Sequence, residues 1–456
     1  MKTIDLLKDN VRKLFFRYLF PSISATLVTS IYILADTIMI GKGIGGEAVA
    51  GLNIVLPLFS LMFGIGYLFG NGGAILMSVS MGMGDEKRAK EYFSTAFFFA
   101  GTVAVLFTIL TYFLFEPLIQ ILGVTNTTYS YVTQYGNIFI AGIPFFILSP
   151  FLQIFVRNDK AAKKAMAAVI TGGVLNIILD YIFIFHLKWG MFGASFATIL
   201  GTFTTFLILC SHFFAKDNTL HFSRKNVVWK RLKSIFENGF SSFLVEISSG
   251  IVIFAFNRQL ISYTGVTGVT VYSIISNSAL IVSSLINGVA QAAQPIISRN
   301  YGANLMKRVQ TTLKYGLVTA FLTGFTIMII GLLIPSIVIY AFLNPTEEIF
   351  EMAKPAIQLY SFAFLGMAGN IFLNTYFQSI LQPKLALFIS FMRGLVLNLI
   401  ILYLLPLLLN VNGIWLTMPL TEFITLLVAL ILLKKSVSDS KGNDANEDCQ
   451  RNGFIS

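Results

Sequence analysis

Charge is scarce in this sequence. Only 12% of its 456 residues are Asp, Glu, Lys or Arg, about half the share of a soluble domain. With 56% hydrophobic residues and a mean hydropathy of +0.78, the shortage excludes a single water-soluble core; a bilayer has to cover the apolar surface. Cysteine is almost missing. Cys210 lies in an apolar run and Cys449 in a polar tail, too differently placed for a staple, and no CxxC gives metal spacing. The three histidines, His186, His212 and His221, form no HExxH. No GxxxxGK[ST] exists, so ATP is not the internal energy source. The basic N-terminal stretch from Lys2 to Arg17 is followed by no small-residue cleavage site and is not read as a signal peptide.

Long apolar runs are plentiful. A span needs about 20 apolar residues, and twelve stretches qualify: 14–40, 48–79, 92–115, 131–155, 161–185, 190–214, 238–262, 269–296, 315–342, 355–380, 385–409 and 413–433. They are too long and unbroken for the short alternating strands of a barrel, so the fold class is an all-α membrane protein of twelve spans. Lys and Arg set the orientation. With the N-terminus inside, 27 of the 32 fall in inside segments, and only Lys42, Lys188 and Lys354 outside. Arg258 and Arg393 lie within spans. The net charge of +11 is thus loop bias facing the cytoplasm and membrane lipid, with both termini inside and no nucleic-acid partner.

The chain also repeats. The glycine pattern of 70–84 returns at 288–302, at an offset of 218; Asn176-Ile-Ile-Leu returns as Asn398-Leu-Ile-Ile, at 222; Gly45 and Gly265 stand 220 apart. Six spans is an even number, so the halves are parallel repeats about an axis along the membrane normal. The organisation read here is a six-helix lobe over 1–214, a basic cytoplasmic linker over 215–237, a second lobe over 238–433 and a disordered tail over 434–456. A cleft between such lobes is where a transporter binds cargo.

Ionisable groups inside spans cost a few kcal/mol or more and are functional candidates by default. Asp36 lies near the outer end of the first span. Asp180 lies near the outer end of the fifth, with Asn176 one turn below it on the same face, and Thr198 enters from outside on the sixth. All four can meet in the outer part of the first half, as an oxygen-rich nest for a proton or Na⁺ or as a hydrogen-bonded structural cluster. Glu246 and Arg393 are each eight residues in from the inside, a depth match that predicts a neutralising pair with a structural or a gating role. Glu422 follows Pro419 at mid-depth, with its facing open. Pro21 removes a backbone bond in the first span and permits a kink, static or hinged. Tyr135 and some of the 44 Phe can line an apolar pocket.

One rival reading is enzymatic. Gly82-Met-Gly-Asp85 matches the GxGD of intramembrane aspartyl proteases, but their Tyr-Asp partner appears only reversed, as Asp180-Tyr181.

The ordered set Ala35-Asp-Thr-Ile-Met-Ile-Gly41, the 70–84 glycines, Asn176-Ile-Ile-Leu-Asp180, Gly193-Ala-Ser-Phe-Ala-Thr198 and Gln294-Pro-Ile-Ile-Ser-Arg-Asn-Tyr-Gly302 resembles the multidrug and toxic compound extrusion (MATE) family, DinF-like branch, over nearly the whole chain to about Leu433. The resemblance implies a V-shaped pair of lobes that alternates access. It implies export of amphipathic, often cationic small molecules in exchange for H⁺ or Na⁺, with no enzyme activity and no cofactor or other metal. It also implies a monomer in the bacterial inner membrane. On it, Asp36, Asn176, Asp180 and Thr198 match the first-lobe cation site, Tyr135 a tyrosine beside it, and Pro21 the proline where the first helix bends. Glu246 resembles an acid of other branches, whose acid in the tenth span is missing from 355–380. The family's glycine after the fourth-span arginine is replaced, since Asn158-Asp159-Lys160 follows Arg157. A lipid-linked oligosaccharide flippase of the same superfamily is the alternative; it would favour a large cationic cleft.

Overall fold

The structure is a computed structural model that describes residues 4–452, with side chains as far as Ser436; of the tail predicted to be disordered, 434–452 continue the last helix, and the rest lies outside the described residues. Every regular element among the described residues is helical. The first half contains α1 (Val11–Gly43), α2 (Gly46–Gly82), α3 (Glu86–Ile121), α4 (Tyr129–Asn158), α5 (Ala162–His186) and α6 (Gly190–Phe214). Next comes a helical stretch of 74 residues, Trp229–Gly302. A straight helix of that length would run about 110 Å, several times a hydrocarbon core. It breaks at Gly265, where φ 65° and ψ −149° belong to a region only glycine enters freely. The break defines α7 (229–264) and α8 (266–302). Then follow α9 (Met306–Leu333) and α10, a pair of segments Glu347–Ser361 and Ala363–Ser379 bent by 41°. The last two are α11 (Pro383–Leu409) and α12 (Val411–Ser436). Among the described residues, ten helices are long and apolar enough to span a membrane; splitting the 74-residue one and counting the bent pair gives the predicted twelve.

The repeat is clearest in the turns. Positive φ occurs at Gly45 and Gly265, Gly84 and Asn304, Lys160 and Leu381, and Lys188 and Asn410, pairs separated by 220, 220, 221 and 222 residues. Each pair occupies the same turn of its half. This corrects the 218 read from the glycine patterns: Gly84 has Asn304 as its counterpart, and Gly82 has Gly302. Asparagine tolerates the left-handed conformation that glycine adopts without cost, so the turn survived while its residue changed.

Packing assigns the helices to two bodies. One core joins α8 to α12 with part of α7, and it includes Leu14, Phe15 and Tyr18 of α1. Ile40 at the other end of α1 belongs instead to a first-half core with α2, α4 and α6. The basic stretch after α6 is pinned rather than loose. Thr219 donates its N–H to Asp159 at 2.9 Å, Val228 donates to Thr95 at 3.0 Å, and Arg231 pairs with Glu91 at 3.0 Å.

The bodies touch from the end where α1 begins to about mid-depth. Glycines permit the contact. A Cβ on Gly239 would lie 1.9 Å from the Leu68 carbonyl oxygen, one on Gly72 2.1 Å from that of Ile235, and one on Gly302 2.0 Å from that of Val79. The side-chain hydrogen bonds recorded between the two halves among the described residues lie between this near end and the middle: Ser30 with Ser284, Asn71 with Ser242, Arg231 with Glu91, Arg157 and Asn158 with Gln291 and Gln294, and Asn300 and Arg308 with the carbonyls of Leu6 and Asp9. At the far end a Cβ on Gly45, Gly46 or Gly265 would meet nothing within 4 Å, and Val266 is 79% exposed. The molecule is a V, zipped at the near end.

Candidate functional site

Near the open end of the first half, four helices converge. α5 and α6 approach backbone to backbone: a Cβ on Gly172 would be 2.5 Å from the Gly201 carbonyl oxygen, and one on Gly201 2.7 Å from that of Gly172. This closeness sets Asn176 beside Thr198, with Nδ2 3.5 Å from Oγ1. One turn further, Asp180 ends the regular part of α5, and the wide π turn Tyr181–His186 follows. α1 packs against Gly173 of α5 through Tyr32 and Val28, which places Asp36, one turn on, beside Asp180. Tyr135 of α4 comes in beside Thr198. The four residues predicted to meet do meet, with Tyr135 among them, and all are buried.

The cluster is rich in acceptors and poor in donors. Asp36 Oδ1, both carboxylate oxygens of Asp180 and Asn176 Oδ1 are buried with no hydrogen-bond partner. Ionised carboxylates only accept, so bringing two together leaves lone pairs aimed at nothing, a costly arrangement in a low-dielectric interior. The arrangement fits a small bound cation. It could be a proton shared between carboxyls, or Na⁺ among oxygens. Among the described residues, no group of three or more His, Cys, Asp or Glu side chains is placed to hold a metal ion. Directly below, a small solvent-connected pocket of about 50 Å³ lies among α1, α2, α4, α5 and α6. Tyr32, Phe63, Tyr67 and Gln153 form its walls, and Asn176 and Thr198 its shared border with the cluster.

The second half departs from expectation. Arg393 does not pair with Glu246. Its Nε donates to Glu422 Oε1 at 2.6 Å. Depth fixes a level but not a face: the π turn Met392–Val396 re-aims α11 and turns Arg393 toward α12. Asn370 completes the set, donating to Glu422 Oε2 at 2.7 Å, and Glu422 is wholly buried. Glu246 instead faces α2, its Cβ 3.6 Å from where Gly64 would carry one. Pro21 is buried within α1, which is helical throughout. Asp85, the residue behind the protease reading, caps α3 by accepting from the Arg88 N–H at 2.9 Å.

Sequence reasoning missed one site. Arg157, counted there among the inside-segment charges, is 3% exposed. It donates to Gln291 at 2.5 Å and to Gln294 at 3.4 Å across the zipped end. Asn158 joins it by accepting from Ser78 at 2.9 Å and donating to Gln294 at 3.2 Å. The signal was present as two glutamines, one turn apart, inside an otherwise apolar span.

Comparison with known proteins bears on this arrangement. The MatE family model matches residues 21–182 and 240–404. The multidrug export protein MepA of Staphylococcus saprophyticus subsp. saprophyticus is 27% identical over 64% of this chain and 65% of its own length, so the alignment spans just under two thirds of that relative. Two solved structures share the fold, each at 23% identity. One is the outward-facing conformation of a multidrug resistance MATE family transporter of the MOP superfamily, with a TM-score of 0.91, covering 97% of this chain and 99% of that one. The other is a MATE in complex with MaL6, also at 0.91, covering 97% and 100%.

Proposed function

This chain belongs to the MatE family, and on that premise we propose that it is a secondary active multidrug exporter, which moves amphipathic, often cationic small molecules by antiport with H⁺ or Na⁺. The observation that carries the reading is the cluster of Asp36, Asp180 and Asn176, whose buried carboxylate and amide oxygens lack hydrogen-bond partners and which borders the small pocket below. A cation entering from the open end neutralises the two carboxylates. That removes an electrostatic cost from one conformation of the first half and not from the other, which is the differential affinity an ion needs to drive a change of state. Thr198 and Tyr135 position the oxygens, Pro21 gives α1 a place to bend, and the cleft between the two lobes takes the cargo. The finer assignment to the DinF-like branch rests on Asp36, Asn176, Asp180 and Thr198 alone.

In this reading the zipped end faces the cytoplasm, because the Lys and Arg bias lies there, and the protein works as a monomer in the bacterial inner membrane. A flippase would need a strongly cationic cleft; Arg393 is neutralised by Glu422, and Arg157 is locked into the zipped end. The test is dye efflux by Asp36→Asn and Asp180→Asn in everted vesicles. Loss of gradient-driven efflux in both is expected, and wild-type efflux in both rejects the site. Purified protein in liposomes, under imposed proton or sodium gradients separately, identifies the ion.

A further inference from the structure

One hydrogen bond occurs twice. The Ser149 hydroxyl of α4 donates to the Thr202 carbonyl of α6 at 3.2 Å, and the Asn370 amide of α10 donates to the Glu422 carbonyl of α12 at 2.8 Å. The partners lie 221 and 220 residues apart, the same spacing as the turns. The bond therefore equates Ser149 with Asn370 and Thr202 with Glu422. The same count of 221 sets Arg393 of α11 opposite Gly172 of α5.

In the first half these positions are small and hollow: Ser149, Gly172 and Thr202 all line the pocket below the carboxylate cluster. In the second half the three counterparts are large, charged or amide-bearing, and they close on one another. Arg393 bonds one oxygen of Glu422 and Asn370 the other, so both carboxylate oxygens are satisfied. The glutamate is sealed from solvent, and the arginine side chain is only 17% exposed. The π turn at Met392–Val396 gives α11 the extra width that brings the guanidinium into line, and Gly394 next to it lets α7 approach, with Ser248 2.9 Å from where a Cβ would be.

We infer that Arg393 is a tethered cation: it fills, in the second half, the space that the first half leaves open beside its ion site, so that only the first half exchanges a mobile cation. A guanidinium supplies the positive charge that Glu422 needs and cannot leave. The glutamate is permanently neutralised, where Asp36 and Asp180 are not. The first clause stands on the geometry of the pair; the second rests on reading Asp36 and Asp180 as the ion site.

The test removes the tether. R393G, with the residue of the first half, leaves a guanidinium-sized space against a buried carboxylate. Its melting temperature in detergent is expected to fall and to be largely restored by millimolar guanidinium or methylguanidinium, but not by equal NaCl. The double variant R393G/E422T, neutral and matched to the first half, is expected to melt closer to wild type, to ignore guanidinium and to keep ion-driven transport. It also serves where R393G alone does not fold. Equal rescue of R393G by Na⁺ and guanidinium, or wild-type melting of R393G, overturns the tether. A folded double variant without ion-driven transport overturns the single-site claim. Wild-type efflux by the Asp36 and Asp180 variants would sink the ion site while leaving the melting result intact.

Discussion

Gly239→Ala puts one methyl group into the zipped end, and the structure sets the consequence. The new Cβ would lie 1.9 Å from the Leu68 carbonyl oxygen, 2.7 Å from its carbon and 3.0 Å from its Cα, all of them backbone, where ordinary contact begins at 3.4 Å. No side chain can swing away. Sliding α7 along α2 offers no relief, because Gly72 is equally tight against Ile235, at 2.1 Å. The helices have to part. Overpacking of this kind costs about 1–3 kcal/mol, and only a conformation with the near end closed bears it. If transport alternates between near-end-closed and near-end-open states, the equilibrium moves toward the open one by roughly 5- to 150-fold. Spin labels at Lys42→Cys and Val266→Cys, both exposed at the far end, in a background with Cys210 and Cys449 changed to Ser, report the shift. Pulsed electron resonance should show the long inter-label distance losing population to a shorter one. A lowered melting temperature with an unchanged distance distribution would refute the reasoning, since the strain would then be common to every state.

Three further outcomes follow from local geometry. Glu422→Gln leaves the Arg393 guanidinium buried without its counter-charge and should cost about 3–5 kcal/mol, read as a drop in melting temperature. Gly265→Ala forces a side chain into φ 65°, ψ −149° and should cost about 1–3 kcal/mol, loosening the α7–α8 turn to proteolysis. At the near end, outside the membrane-spanning segments, the Leu7 N–H donates to the Asp5 carboxylate at 2.9 Å and holds its pKa below the usual carboxylate value of 3.8. A depressed folded pKa stabilises above the unfolded value and is lost as pH falls through the folded one. Amide exchange at Leu7 and Lys8, corrected for its intrinsic pH dependence, should therefore accelerate on acidification below the ordinary carboxylate range, and Asp5→Asn should remove the effect.

Twelve spans were legible because hydrophobic length is a one-dimensional property, and the first-half site because depth and i,i+4 spacing placed Asp36, Asn176, Asp180 and Thr198 at one level. The same logic failed in the second half. Glu246 and Arg393 share a depth but not a face, and the π turn that re-aims Arg393 leaves no mark in composition. The repeat was visible, yet its register was two residues off in the glycine patterns, because a left-handed turn conserves φ rather than residue type and Asn304 stands where Gly84 does. Arg157 was read as a loop charge because it ends an apolar run; what buries it is the approach of α8, a contact between residues 134 and 137 positions apart.

The two ends of α1 ride on different bodies. Its first turns sit in the second-half core through Leu14, Phe15 and Tyr18, and the segment before them is fastened by Arg308 to Leu6 and Asp9, while its last turns deliver Asp36 to the first half. Such a helix is a strut anchored across a joint. Any rocking of one body against the other must twist or flex it, and the position lacking a backbone donor, Pro21, falls between the two anchorages. An event at the far carboxylates can thus reach the opposite body along one covalent rod, without a signal crossing the open cleft.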